Sequence, residues 1–147
     1  MIVCCGEALI DMIPMLDSAG QRSLKPHAGG AVFNTAIALG RLGAKVDFLS
    51  GVSTDLFGKT LLSELHKSNV ATDIVIRSDR PTTLAFVELD DGHATFVFYD
   101  ENTAGRMLDP TDLPTIPQAA KAMYFGGISL INEPAAEFYL ALAMRES

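Results

Sequence analysis

The sequence has few basic residues and few cysteines, and both shortages exclude classes of function. Lys and Arg number 11 against 18 Asp and Glu, the formal net charge is −7, and no run of basic residues occurs. Because a nucleic-acid partner requires a basic face, we expect no nucleic-acid partner. Cys4 and Cys5 are neighbours that point to opposite faces of a strand, which predicts two buried free thiols. Nothing in this cysteine usage indicates an oxidising compartment.

Long apolar runs and targeting signals are also missing. No window approaches the roughly 20 apolar residues that span a membrane. The N-terminus lacks a basic segment, and Glu7 and Asp11 interrupt its apolar run, so we do not expect a signal peptide. These features predict a cytoplasmic protein with no membrane partner. A hydrophobic content of 48% in 147 residues is typical of one compact domain with a core.

Alternating patterns along the chain predict an α/β fold. Short apolar runs predict strands at 2–5, 9–15, 24–28, 46–52, 74–76 and 122–125, and helical spacing predicts helices at 31–42, 57–65 and from 134 onward. Strands at 83–89 and 95–99 flank the turn signal Asp90-Asp91-Gly92-His93, which predicts a hairpin in a small attached sheet. No strand follows the last helix, so we expect a fragment, with a natural short domain as the alternative.

Three polar features interrupt apolar surroundings and are candidate ligand contacts. Gly29-Gly30 precedes a helix, which we expect to leave backbone N–H groups uncovered for an anion or a polyol. Asn34 lies in an apolar first turn and needs a partner, either a backbone group or a ligand hydroxyl. Asp11 ends an apolar stretch and can accept hydrogen bonds from sugar hydroxyls or from nearby backbone. Glu7 is similar but ranks below Asp11.

Several other kinds of site are excluded. No Gly-x-Gly-x-x-Gly is present, and no Gly-Lys-Ser/Thr follows Gly29-Gly30, so this glycine pair is neither a dinucleotide fingerprint nor a P-loop. His27, His66 and His93 are far apart and lack ligand spacing, so we predict no metal site in this chain.

The sequence resembles the ribokinase-like (PfkB) carbohydrate kinase family in three ordered segments, GEALID at 6–11, GGAVFNTAIALGRLG at 29–43 and DLFG at 55–58. The segment FYDENTAGRML at 98–108 resembles bacterial fructokinases more narrowly. The resemblance covers residues 1–147 as the N-terminal half of a family member. Val32 stands where the family often has proline, and the run at 50–55 departs from the family's Gly-x-Val-Gly-Asp-Asp.

The resemblance implies a mostly parallel sheet flanked by helices, with a small β lid whose strands lie mainly within 9–28 and 72–100. It implies that Asp11, Gly29, Gly30 and Asn34 bind a sugar, and that Phe98 offers it an apolar face. It also implies a homodimer formed through the lid.

The activity implied by the resemblance is transfer of the γ-phosphate of ATP, with Mg²⁺, to a sugar hydroxyl. The family's catalytic aspartate lies in a Gly-Ala-Gly-Asp motif that this sequence lacks, so we expect no catalytic residue here and an absent ATP-binding half. Asp100 and Glu101 after Tyr99 favour a neutral sugar, fructose first. An acid sugar such as 2-keto-3-deoxygluconate, held by Arg106, is second, and a nucleoside is third. A non-catalytic sugar-binding or dimerisation fragment is the alternative from another class.

Overall fold

The computed structural model describes residues 1–90 and 93–147 and confirms the predicted α/β class. Its strands in chain order are β1 (Ile2–Gly6), β2 (Leu9–Leu16), β3 (Arg22–Gly29), β4 (Val46–Leu49), β5 (Gly51–Ser53), β6 (Val70–Ala71), β7 (Ile76–Ser78), β8 (Leu84–Asp90), β9 (His93–Tyr99) and β10 (Ala122–Gly126). Its helices are α1 (Ala31–Arg41), α2 (Leu56–Lys67) and α3 (Ala135–Glu146), and short 3-10 turns cover Pro110–Asp112 and Ile128–Leu130. None of the described helices has both the length and the apolar character needed to cross a membrane.

Four parallel strands form the main sheet in the order β10-β1-β4-β6. Alternation along β1 divides the core, because Cys4 packs with α1 and α2 while Val3 and Cys5 pack with α3 on the other face. Both cysteines are buried and free, as predicted. Burial raises the pKa of the Cys4 thiol to about 11 and that of Cys5 to about 12, so both stay protonated and unreactive at neutral pH.

A second sheet stands beside the main one, with strand order β3-β2-β8-β9. Strands β2 and β3 are antiparallel, as are β8 and β9, and β2 and β8 join the two hairpins in parallel. Its base is anchored in the core by Ile10, while Leu16 at the far end of β2 is 65% exposed. The predicted pairing of 83–89 with 95–99 is confirmed, and residues 91 and 92 of its predicted turn lie outside the described residues.

Two strand predictions are wrong in detail. The stretch 46–52 is not one strand, because β4 ends before Ser50 and β5 pairs with β7 in a separate two-stranded sheet. Gly51 allows the chain to leave the main sheet after Ser50, because it packs against the Ala104 carbonyl oxygen at a place where any Cβ would overlap that oxygen. The strand predicted at 74–76 begins only at Ile76, because the N–H of Val75 closes a turn onto the Thr72 carbonyl.

Asp55 joins α2 to the base of the second sheet. Its carboxylate accepts hydrogen bonds from Gly58 N (2.7 Å), Thr82 N (2.9 Å) and Thr82 Oγ1 (2.7 Å), and Thr82 lies two residues before β8. Burial by itself would raise the pKa of Asp55, but the hydrogen bonds favour the charged form and together lower it. The ionised carboxylate therefore caps α2 and fixes where β8 begins.

Replacing Asp55 with Ala should lower the free energy of unfolding by about 2–3 kcal/mol, because it removes a helix cap and leaves the Thr82 N–H without its acceptor. The measurement is urea unfolding at pH 7. Because the folded pKa is lowered, this contribution is present above the unfolded value of about 3.9 and is lost as the pH falls through the folded pKa. Asp109→Ala, which removes an exposed cap of a 3-10 turn, is the matched control. Equal unfolding midpoints for the two variants at pH 7 would contradict the account.

Candidate functional site

The two sheets meet at the carboxyl end of β1. Two residues, Glu7 and Ala8, connect β1 to β2, and Gly30 alone connects β3 to α1. The base of the second sheet and the start of α1 therefore lie at the carboxyl edge of the main sheet, which is where open α/β sheets place their ligands.

Asp11 lies in a row of residues that crosses all four strands of the second sheet. The register pairs Asp11 with His27 on one side and with Ala85 on the other, and Ala85 with Phe98. Paired residues share a face, so the carboxylate of Asp11 and the ring of Phe98 are on the same side of the sheet. Only a small, buried alanine separates them, and Phe98 is 41% exposed.

The Asp11 carboxylate lies directly over Gly29. A Cβ at Gly29 would overlap Asp11 Oδ2, so this position requires glycine for the carboxylate to keep its place. Burial raises the pKa of Asp11 above its ordinary value, and the charge of His27 across the strand pair opposes that rise. The structure therefore brings Asp11 and Gly29, two of the predicted site residues, together.

The start of α1 is not open, which contradicts the prediction of uncovered N–H groups after Gly29-Gly30. Glu7 Oε1 accepts hydrogen bonds from Ala31 N (2.8 Å) and Val32 N (3.3 Å), and the Glu7 carbonyl accepts one from Phe33 N (3.3 Å). These three donors are ones that a helix start leaves free for a ligand. Glu7, which sequence reasoning ranked below Asp11, occupies them.

Asn34 lies one turn after Gly30 on the same side of α1. It is exposed, so the apolar residues that flank it in the sequence do not enclose it. Its backbone N–H bonds the Gly30 carbonyl (2.9 Å), and in the described part of the chain its side-chain amide has no hydrogen-bond partner. The amide is therefore free to donate to and accept from a ligand.

A network of polar side chains surrounds a small cavity of about 20 Å³ beside this cluster. Its polar lining residues are Glu7, Thr83, Asp100, Arg106, Ser129 and Asn132.

Arg106 is held by this network. Its Nη1 lies 2.9 Å from Asp100 Oδ1, and its Nε donates to the Glu133 carbonyl (2.9 Å). Asn132 Nδ2 donates to the second Asp100 oxygen at 2.7 Å. Sequence reasoning did not connect Asp100 with Asn132, because the two residues are 32 positions apart and neither belongs to a spacing motif.

Known proteins that resemble this chain are sugar kinases. Residues 1–145 match the pfkB family of carbohydrate kinases. A fructokinase of Rhizobium leguminosarum bv. trifolii is 51% identical over 147 residues, which are 100% of this chain and 45% of that protein.

Two solved structures share the fold. Xylella fastidiosa fructokinase with bound ATP gives a TM-score of 0.84 at 32% identity, covering 98% of this chain and 47% of that one. An uncharacterized sugar kinase from Pyrococcus horikoshii in complex with ATP gives 0.86 at 32% identity, covering 99% and 49%.

The chain spans about half the length of these relatives, as the resemblance predicted. The family match covers residues 1–145, so it includes every residue of the site described above. The chain belongs to the pfkB family of carbohydrate kinases.

Proposed function

We propose that the complete protein transfers the γ-phosphate of ATP to fructose, and that this chain supplies its sugar-binding half. The observation that carries the proposal is the grouping of Asp11 over Gly29 with Phe98 on the same face of one sheet. A fructokinase that is 51% identical over the whole chain supports the same substrate.

The side chains of this cluster suit a neutral sugar. The Asp11 carboxylate accepts hydrogen bonds from two hydroxyls, and the exposed Asn34 amide both donates and accepts. Gly30, with φ +113° between β3 and α1, is only partly buried and offers its backbone to the sugar. The exposed ring of Phe98 covers the apolar C–H face of the sugar.

The state of Arg106 favours fructose over 2-keto-3-deoxygluconate. A carboxylate on the sugar requires a free cation, but Asp100 and the Glu133 carbonyl already engage Nη1 and Nε of Arg106. Asp100 also neutralises the guanidinium charge, so binding an acid sugar here costs a partly buried ion pair.

ATP and Mg²⁺ belong to the remaining half of the protein in this proposal. Two relatives of the same fold bind ATP, which supports ATP as the phosphate donor. Within residues 1–90 and 93–147 no group of three His, Cys, Asp or Glu side chains is placed to hold a metal ion. Mg²⁺ therefore accompanies the ATP phosphates, and it supplies charge neutralisation there.

The second sheet is, in this proposal, a lid over the sugar and the contact surface of a homodimer. Its outer strands β3 and β9 have no partner on their free edges in the described residues, and Leu24, Val97 and Tyr99 are 47–61% exposed. Pairing two such sheets covers both the edges and the apolar side chains. The free thiols of Cys4 and Cys5 fit the reducing cytoplasm that we propose as its location.

The complete protein should phosphorylate fructose with MgATP, with a kcat/KM at least about tenfold above that for 2-keto-3-deoxygluconate.

Asp11→Asn should lower kcat/KM for fructose on the order of 100-fold, because hydrogen bonds to a charged group contribute about 1.5–3 kcal/mol each. Asp112→Asn, at an exposed aspartate in a 3-10 turn, is the control. A coupled ADP-release assay measures both substrates. Preference for the acid sugar, or sugar binding without turnover, would contradict the proposed function.

Fructose binding should weaken as the pH falls through the raised pKa of Asp11, because only the ionised carboxylate accepts from both hydroxyls. His27→Ala removes the charge that opposes this rise, so the acid limb of the binding profile should move to higher pH. Dissociation constants for fructose, measured between pH 4 and 8 for the wild type and the variant, give the shift of this profile. The control is His66→Ala. The His66 ring in α2 is hydrogen-bonded to Thr72, away from the second sheet, so its loss should leave the pH profile unchanged. A His27→Ala profile that moves to lower pH would show that another group controls binding.

A further inference from the structure

Glu7 is a buried acidic residue, 7% exposed, at the junction of three elements. It follows the last residue of β1, its carboxylate binds the first turn of α1, and its Oε2 lies 3.2 Å from the hydroxyl of Ser129 in the 3-10 turn after β10. One carboxylate therefore connects the main sheet, the helix that carries Asn34, and the loop after β10.

Helix α1 depends on Glu7 because it has no cap of its own. The N-cap residue is Gly30, which has no side chain, and no acidic residue lies in the first turn of α1. The two N–H groups bound by the carboxylate lie where the partial positive charge of the helix dipole is concentrated, so an anion there stabilises the helix start.

Two glycines shape the space around Glu7. Gly30 has φ +113°, and a Cβ there would lie 2.9 Å from the Glu7 carbonyl oxygen and 3.2 Å from its Cγ. Gly127 has φ +74°, and a Cβ there would overlap both carboxylate oxygens. Both residues have the positive φ that glycine favours, so the backbone on two sides is fitted to Glu7, at its main chain by Gly30 and at its carboxylate by Gly127.

Ser129 closes the third side. Its buried hydroxyl has a single proton and lies within hydrogen-bond distance of two acceptors, the Gly126 carbonyl (2.8 Å) and Glu7 Oε2 (3.2 Å). The Glu7 carboxylate thus has donors in α1 for Oε1 and shares the Ser129 proton with the Gly126 carbonyl at Oε2, so it is held from the β10 side as well as from α1.

We propose that Glu7 is a positioning residue for sugar binding, which sets the first turn of α1 so that Gly30 and Asn34 face Asp11. This role rests on the proposed function. Glu7 contacts backbone and Ser129 and leaves the sugar to Asp11 and Asn34. Its negative charge matters because a neutral amide, even with its oxygen toward α1, makes weaker hydrogen bonds to these N–H groups and loses the attraction to the positive end of the helix dipole.

The test is Glu7→Gln in the complete protein. The KM for fructose should rise about tenfold, the loss of roughly one charge-assisted hydrogen bond, while kcat and the KM for ATP stay within about twofold. Hydrogen exchange measured by mass spectrometry should become faster at the amides of Ala31 and Val32. Glu64→Gln, a partly exposed glutamate of α2 paired with Lys67, is the matched control and should change none of these values.

Ser129→Ala is the second variant and keeps the proposal testable if Glu7→Gln does not fold. It removes one hydroxyl, so the KM for fructose should rise about two- to threefold, again without a change in the KM for ATP. One outcome is that the wild-type protein phosphorylates fructose while both variants keep the wild-type KM and lose only thermal stability. In that case Glu7 has only a structural role: the positioning role is wrong and the proposed function stands. A wild-type protein that phosphorylates no sugar overturns the proposed function and this role together.

Discussion

The carboxylate of Glu7 at the start of α1 is the interaction on which the rest of the site depends. It satisfies helix donors that Gly30 cannot cap, and Gly127 leaves the space that it occupies. Because β1, α1 and the loop after β10 meet at this group, a change there displaces all three together. The positive end of the helix dipole thus interacts with Glu7 inside the protein, and the proposed function assigns the ligand contacts at this junction to side chains and to Gly30.

Strand register determines the second part of the arrangement. Alternation along β1 sends Cys4 to the α1 side and Cys5 to the α3 side, so the main sheet is covered on both faces. The same period of two on β2 buries Ile10 in the core and places Asp11 on the opposite face, in the row with Phe98. Asp55 then ties the beginning of β8 to α2, which holds that row against the main sheet.

The sequence predicted the features that depend on local patterns. Helix α1 and the hairpin of β8 and β9 follow from periodicity, and the family resemblance followed from ordered motifs. The break at Ser50 was not predictable, because it depends on Gly51 approaching Ala104, a contact between distant parts of the chain. The covered start of α1 was missed for the same reason, since Glu7 and Ala31 are 24 positions apart. A local pattern identifies a glycine pair before a helix, but it does not identify the distant side chain that binds the N–H groups at the start of that helix.

The central claim is that fructose binds where the two sheets meet, between Asp11 and the first turn of α1. A crystal structure of the complete protein with fructose tests this most directly. The account predicts fructose hydroxyls within hydrogen-bond distance of the Asp11 carboxylate and the Asn34 amide, with the Phe98 ring against the apolar face of the sugar. Fructose bound away from Asp11, with the Asn34 amide still facing solvent, would contradict it.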